Sequence, residues 1–191
     1  DPSQILLTTF TNKAANEIKE RIIKVVGDEG KKMTVGTFHS ICNRILRQYG
    51  EKIGYTKTFT ILDENDSDKI IKAACKQYGL EVKDAKFYIA HCKANLLTPG
   101  AALMKATKQD QDLACVYQMY QDELKRIQAM DFDDLLLNAV LLIENNADVK
   151  QALNNKWQYI LLDEQQDSSY TDSKLAELLA GDQQNIFFVG D

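Results

Sequence analysis

The sequence predicts an α/β fold, in which a parallel sheet, incomplete within these residues, carries an inserted all-helical subdomain. Three observations predict it. Short apolar runs at Trp157–Leu162 and Asn185–Val189 have strand length and end at acids or glycine, as strands buried on both faces do. Stretches with helical periodicity follow such runs at both ends of the chain. Between them, residues 51–128 read as helices, apart from one short extended piece.

Taken in order, Gln4–Thr9 reads as a strand with nothing before it to pair with. Asn12–Val26 reads as an amphipathic helix with Ile18, Ile22, Val25 and Val26 on one face and Gly27 as its stop. A short strand at Met33–Val35 leads into "GTFHS". Ser40–Tyr49 is the next helix, with Ile41, Ile45, Leu46 and Tyr49 inward. After a possible extended piece at Thr58–Leu62, Asp63 is placed to cap a helix ending near Gly79. Helices follow at Lys83–Ala94, from Pro99, and at Asp112–Ile127. The Leu113, Val116, Tyr117, Tyr120, Leu124, Ile127 stripe of the last of these reads as core. Asp131 caps a helix through "DFDDLLLNAVLLIE", and Thr171–Ala180 forms another, ended by Gly181.

Composition narrows the function. With 191 residues and 45% hydrophobic content, the chain builds a real core as one domain, or as one domain with a sizeable insert. Cys42, Cys75, Cys92 and Cys115 form no CxxC pair and read as reduced thiols of a cytoplasmic protein. No stretch is long and apolar enough to span a bilayer, no signal-peptide pattern opens the chain, and a monomer is expected. The net charge of −5 speaks against a dedicated nucleic-acid binder, yet the charge is unevenly spread. Residues 1–57 hold 10 Lys/Arg against 6 Asp/Glu, a local +4, while residues 58–191 hold 13 against 22, or −9. A phosphate-binding footprint is therefore possible near the N-terminal motifs, although the same charges also suit a solvated helix face.

Two groups of residues could carry chemistry. In "ILLDEQQD", Asp163 and Glu164 stand at the C-terminal end of a strand, where open α/β sheets bind ligands. Successive side chains diverge, so Asp163 could serve Mg²⁺, which prefers oxygen ligands and keeps its waters, while Glu164 orients or deprotonates an attacking water. Both could equally cap the next helix. In "TTFTNKAANEIKERI", Phe10 lies at a strand-to-helix junction beside Thr11, Asn12 and Lys13. "VGTFHS" repeats the pattern with Thr37, Phe38, His39 and Ser40. Exposed rings there could stack on bases, while hydroxyls, an amide and helix N-termini hold phosphates. Alternatively, Phe10 and Phe38 are core residues and His39 a helix cap.

In this order, "TFTNKAA…EIKERI", "GTFHSICNRILR", "DFDDLL" and "ILLDEQQD…LLAGDQQNIFFVGD" resemble the UvrD/Rep-type (superfamily 1A) DNA helicases. The resemblance implies a P-loop NTPase (RecA-like) motor domain, 1A, over residues 1–50 and 129–191, with a helical insert, 1B, over 51–128. It implies ATP and Mg²⁺ as cofactors and single-stranded DNA as partner. Phe10, Thr11, Asn12, Thr37, Phe38, His39 and Ser40 would line the DNA track, with Phe132 and Asp133 nearby. Asp163 would serve Mg²⁺ through water and Glu164 the hydrolytic water, Gln166 would couple nucleotide to DNA, and Gly190–Asp191 would open the next motif. A departure stands at Gln165, where the family usually has a bulky residue. Others are Ser168, Thr171, often apolar in the family, and Asp172, commonly glutamine. None of the nine glycines begins a GxxxxGK[ST] phosphate loop. The resemblance places that loop just before Asp1 and a second motor domain beyond Asp191, so these residues alone are expected to be inactive. Two other readings are a non-catalytic nucleic-acid-binding or interaction module and part of a helicase-nuclease recombination subunit.

Overall fold

The structure is a computed structural model and describes residues 1–163 and 169–189. Four parallel strands form its main sheet: β1 (Ile5–Thr8), β2 (Thr34–Gly36), β5 (Tyr159–Leu162) and β6 (Ile186–Phe188), in the order β2-β1-β5-β6. The α/β class with a parallel sheet is as the sequence predicts. The first strand, which has no earlier partner, becomes an inner strand because later strands flank it. Leu6 pairs with Thr34 on one side and Ile160 on the other. Parallel pairing needs crossovers, and helices α1 (Asn12–Val26) and α2 (Phe38–Tyr49) supply the first of them.

Helix α2 begins two residues earlier than its periodicity indicates. Thr37 is the N-cap, its hydroxyl accepting from the Ser40 N–H at 3.2 Å, so Phe38 and His39 are already helical. The apolar face of α1 is only partly covered. Ala15 is buried, but Val25 and Val26 are exposed. This helix flanks the edge strand β2 and the tight turn Gly27–Lys32. Gly30 allows that turn to lie close, since a Cβ there would meet Ile22 at 2.8 Å.

The central block contains α3 (Glu64–Tyr78), α4 (Val82–Ala94), α5 (Pro99–Lys105) and α6 (Gln111–Arg126). Asp63 caps α3 as expected, accepting from the Asp66 N–H at 2.9 Å. The beginning and end of this block are tied together by a two-residue parallel ladder, β3 (Thr60–Ile61), within the expected extended piece, against β4 (Ala129–Met130), which the sequence did not announce. Two-residue strands carry no readable alternation. Beyond β4, α7 (Phe132–Asn145) opens on a capping box in which Asp131 and Asp134 each accept the other's backbone N–H. Helix α8 (Ala147–Lys156) is also new. Its segment is polar, and only Val149 and Leu153 are buried, too faint a stripe to read. Asn154 docks it by donating to the Leu178 and Leu179 carbonyls of α9 (Tyr170–Ala180).

Two apolar cores result. One lies around the main sheet and α2, α7 and α9, with Leu6, Ile45, Val140, Ile160 and Leu179 at its heart. Tyr55 and Phe59 also join it. The other lies among α3–α6 around Ile71, Ile89, Val116, Tyr117 and Leu124, so the predicted stripe is core except at its end, where Ile127 is exposed past the last turn of α6. Trp157 is buried with its indole N–H satisfied by the Thr34 hydroxyl at 3.1 Å.

Candidate nucleic-acid and nucleotide site

Parallel strands end on one edge, and the sequence motifs follow those ends. Thr8 is level with Gly36 on one side and Leu162 on the other. The ladder continues one step beyond the strands, with the Thr9 N–H donating to Gly36 O at 3.1 Å and the Asp163 N–H donating to Thr8 O at 3.0 Å. Residues distant in sequence, Phe10, His39 and Asp163, are thereby brought to the C-terminal edge of the sheet, where open α/β sheets take ligands.

There they share a cavity of about 90 Å³ whose walls include Thr8, Thr9, Phe10, Thr37, Phe38, His39 and Asp163. Phe10 is 46% exposed, so the core reading of this ring does not hold. Phe38 touches the cavity but also packs against the main core, which fits the core reading in part. The cap of α2 is Thr37 and not His39, which lies within the first turn. Its ring instead meets the exposed Phe132 edge-on, with centroids 6.0 Å apart and planes at 65°. A larger groove of about 240 Å³ continues from Phe10 and His39 to Asp133, Ser169 and Asp172.

The polar residues divide by how far helix capping engages them. Thr11 caps α1 by accepting from the Ala14 N–H at 3.1 Å, leaving its own proton free to donate. Asn12 is exposed on the first turn. Ser40 donates to the Thr37 carbonyl at 2.8 Å, so Thr37 and Ser40 chiefly build the start of α2. The start of α1 and the start of α2 face the same edge, and their free N–H groups favour anionic groups such as phosphates. The Thr8 and Thr9 hydroxyls are buried and have no hydrogen-bond partner among the described residues. Beside Asp163 they give the cavity a polar wall suited to bound water.

Among the described residues no three carboxylate, His or Cys side chains cluster to hold a metal. Asp163 alone fits a hydrated Mg²⁺ only if phosphate oxygens complete the shell, which is the usual manner of Mg²⁺ with nucleotides. Glu164, Gln165, Gln166, Asp167, Ser168 and Gly190–Asp191, assigned from sequence, lie outside the described residues.

Two departures from the family pattern acquire structural reasons. Asp172 completes a capping box with Ser169 at the start of α9. Thr171 is 2% exposed, with its hydroxyl donating to the Ala94 carbonyl at the end of α4, 2.9 Å away. A polar side chain at that apolar position is satisfied, and it ties α9 to the helical block.

A buried network beneath the groove was missed from sequence. Lys93 of α4 is 1% exposed, and its ammonium lies 2.5 Å from Asp131 and 2.8 Å from Asp134. Tyr120 donates to Asp131 at 2.7 Å and Gln121 to Asp134 at 2.8 Å. The available signal was Lys93 itself, four residues beyond Ile89 on the stripe that buries Ala85, Ile89 and Cys92. A lysine there demands buried anions.

Burial pushes the Asp134 carboxyl up to about 6, against the pull of Lys93, while the ammonium holds the Asp131 carboxyl below its ordinary range despite burial. Asp134 therefore takes up a proton on folding. Its contribution to stability is full below its ordinary pKa of 3.8 and falls as pH rises through about 6. Asp131 works oppositely, its contribution present above 3.8 and lost as pH falls. Asp134→Asn removes the first effect, so its destabilisation is expected to shrink between about pH 4.5 and about pH 7 in urea unfolding.

A parallel sheet with a carboxylate, exposed rings and two helix N-termini on one edge defines an α/β domain with its candidate site where such sheets take ligands. Comparison with known proteins makes the class specific. The model of the UvrD/REP helicase N-terminal domain matches residues 1–191. The chain is 40% identical over 196 aligned positions to the ATP-dependent DNA helicase PcrA of Staphylococcus aureus strain Mu50 and 39% to that of Staphylococcus epidermidis strain RP62A. Each alignment covers 100% of this chain but 27% of the relative, so the chain spans about a quarter of their length. The chain belongs to the UvrD/REP helicase N-terminal domain family.

Proposed function

We propose that this chain is the greater part of the first motor domain of an ATP-driven DNA helicase that moves along single-stranded DNA. The observation that carries this reading is the cavity shared by Phe10, His39 and Asp163, which puts candidate DNA-facing rings and a candidate metal carboxylate on one sheet edge. Phe10 and Phe132 stack on bases, with His39 and Asp133 beside them. Thr11, Asn12 and the helix starts built by Thr37 and Ser40 hold phosphates. Asp163 holds Mg²⁺ through water, Glu164 orients the hydrolytic water, and Gln166 links nucleotide state to the track. The motor comprises residues 1–50 and 129–191 and the insert 51–128; the separate core of α3–α6 supports an insert, although Tyr55 and Phe59 pack in the motor core and Ala129 in that of the insert. The four free cysteines suit a reducing compartment such as the cytoplasm.

ATP turnover needs backbone amides and a lysine around the β- and γ-phosphates, and the 191 residues hold no GxxxxGK[ST] loop. Strand β6 does not have the two-sided burial its sequence suggests: Phe187 and Phe188 are 59% and 57% exposed beside an edge that is unpaired among the described residues, which suits further sheet packing here. The expected result is that these residues alone show no ATP turnover, while the full-length protein shows turnover stimulated by single-stranded DNA. A DNA-stimulated turnover by the 191 residues, abolished by Glu164→Gln, would contradict the proposal.

A further inference from the structure

We propose that Lys93 is a positioning residue for the DNA-facing groove, through which the helical block fixes where Phe132 and Asp133 stand. This inference rests on the groove being the DNA track and adds a residue that no sequence motif marks.

The geometry runs in one direct line. Lys93 comes from α4 of the helical block and has no exposure to water worth the name. Its ammonium bridges Asp131, the N-cap of α7, and Asp134, the third residue of that helix. Those two carboxylates also form the capping box: in each, one oxygen accepts the cap N–H and the other meets Lys93, so the same two side chains set both the start of α7 and its attachment to α4. Tyr120 and Gln121 of α6 bind the remaining lone pairs, so α4 and α6 both clamp this one turn. Between the clamped residues lie Phe132 and Asp133, the two that point out of the turn. Phe132 is exposed and meets His39, while Asp133 lines the groove with Phe10. One residue along α4, the Ala94 carbonyl receives the Thr171 hydroxyl at the start of α9, on the groove's far side.

An apolar contact would bury this seam without fixing its register. A charged centre with partners at fixed distances allows one arrangement, because any slide leaves a buried charge unpaired. Movement of the helical block is therefore transmitted to Phe132 and Asp133 rather than absorbed.

The test is a double-mutant cycle in the full-length protein, read by fluorescence anisotropy with labelled oligo-dT. One arm is Phe132→Ala. The other is Lys93→Met together with Asp131→Asn and Asp134→Asn, which removes all three charges while keeping an oxygen acceptor at the cap. Should this variant not fold, Lys93→Arg takes its place, since a planar guanidinium cannot occupy the site of a compact ammonium. Each arm alone is expected to weaken binding about fivefold. In the Phe132→Ala background the second arm should cost little more, because its effect passes through the ring already removed. A purely structural role would lower the unfolding temperature and leave affinity unchanged, and that result overturns the proposal, as does strict additivity. Lack of effect of Phe132→Ala overturns it too, leaving the helicase reading intact. Failure of the unaltered protein to bind oligo-dT sinks both.

Discussion

In the full-length protein, Glu164→Gln is expected to cut DNA-stimulated ATP turnover about 10²–10⁴-fold, the range for loss of a positioned general base. The substitution keeps size and hydrogen bonding but removes the carboxylate to which the proposal gives the proton of the attacking water. Asp163→Asn should act on the same step by a different route. It removes the carboxylate that follows β5 on the sheet edge and so weakens Mg²⁺ binding, and added Mg²⁺ should recover part of its loss while recovering none of that of Glu164→Gln. Single-strand affinity without nucleotide should stay near the wild-type value in both, because Phe10, His39 and Phe132 are untouched. Steady-state turnover across a Mg²⁺ series checks both statements. Turnover by Glu164→Gln within a factor of about two of wild type would remove the carboxylate from the mechanism.

The second large effect concerns stability. Lys93→Met should lower the free energy of unfolding by about 3–5 kcal/mol, because Asp131 and Asp134 are left as buried carboxylates without a countercharge. For a chain of this size that corresponds to a fall in Tm of roughly 10 °C. Neutralising the partners by adding Asp131→Asn and Asp134→Asn should recover most of the loss, since a buried ion pair contributes far less than its half-broken remnant costs. Urea unfolding of the three proteins measures this. A loss unaltered by the added substitutions would mean that Lys93 acts through packing of its methylenes.

Much of this was legible in the sequence. Long stripes such as that of α6 and caps such as Asp63 carry their own physical signature, and so do apolar runs that end in acids. The motifs name residues far apart in sequence, and the fold brings Phe10, His39 and Asp163 to one cavity and Phe10, His39 and Asp133 to the adjoining groove. What escaped was short or long-range. Strand β4 has only two residues, and α8 buries only Val149 and Leu153. The partners of Lys93 lie 38 and 41 residues on, a separation at which local pattern says nothing. Val25 and Val26 show the opposite error. A helical stripe gives the face that could be buried, but whether a neighbour reaches it is a matter of tertiary structure.

The most direct measurement is a titration of labelled oligo-dT and of a duplex of equal length by the full-length protein without nucleotide, with Phe10→Ala alongside. The expected result is a preference for the single strand that weakens steeply with salt and, on loss of the Phe10 ring, a decrease of about 1–3 kcal/mol in binding free energy. Equal affinity for duplex and single strand, unchanged by Phe10→Ala, would show that the sheet edge bearing Phe10, His39 and Asp163 is not where this protein meets DNA.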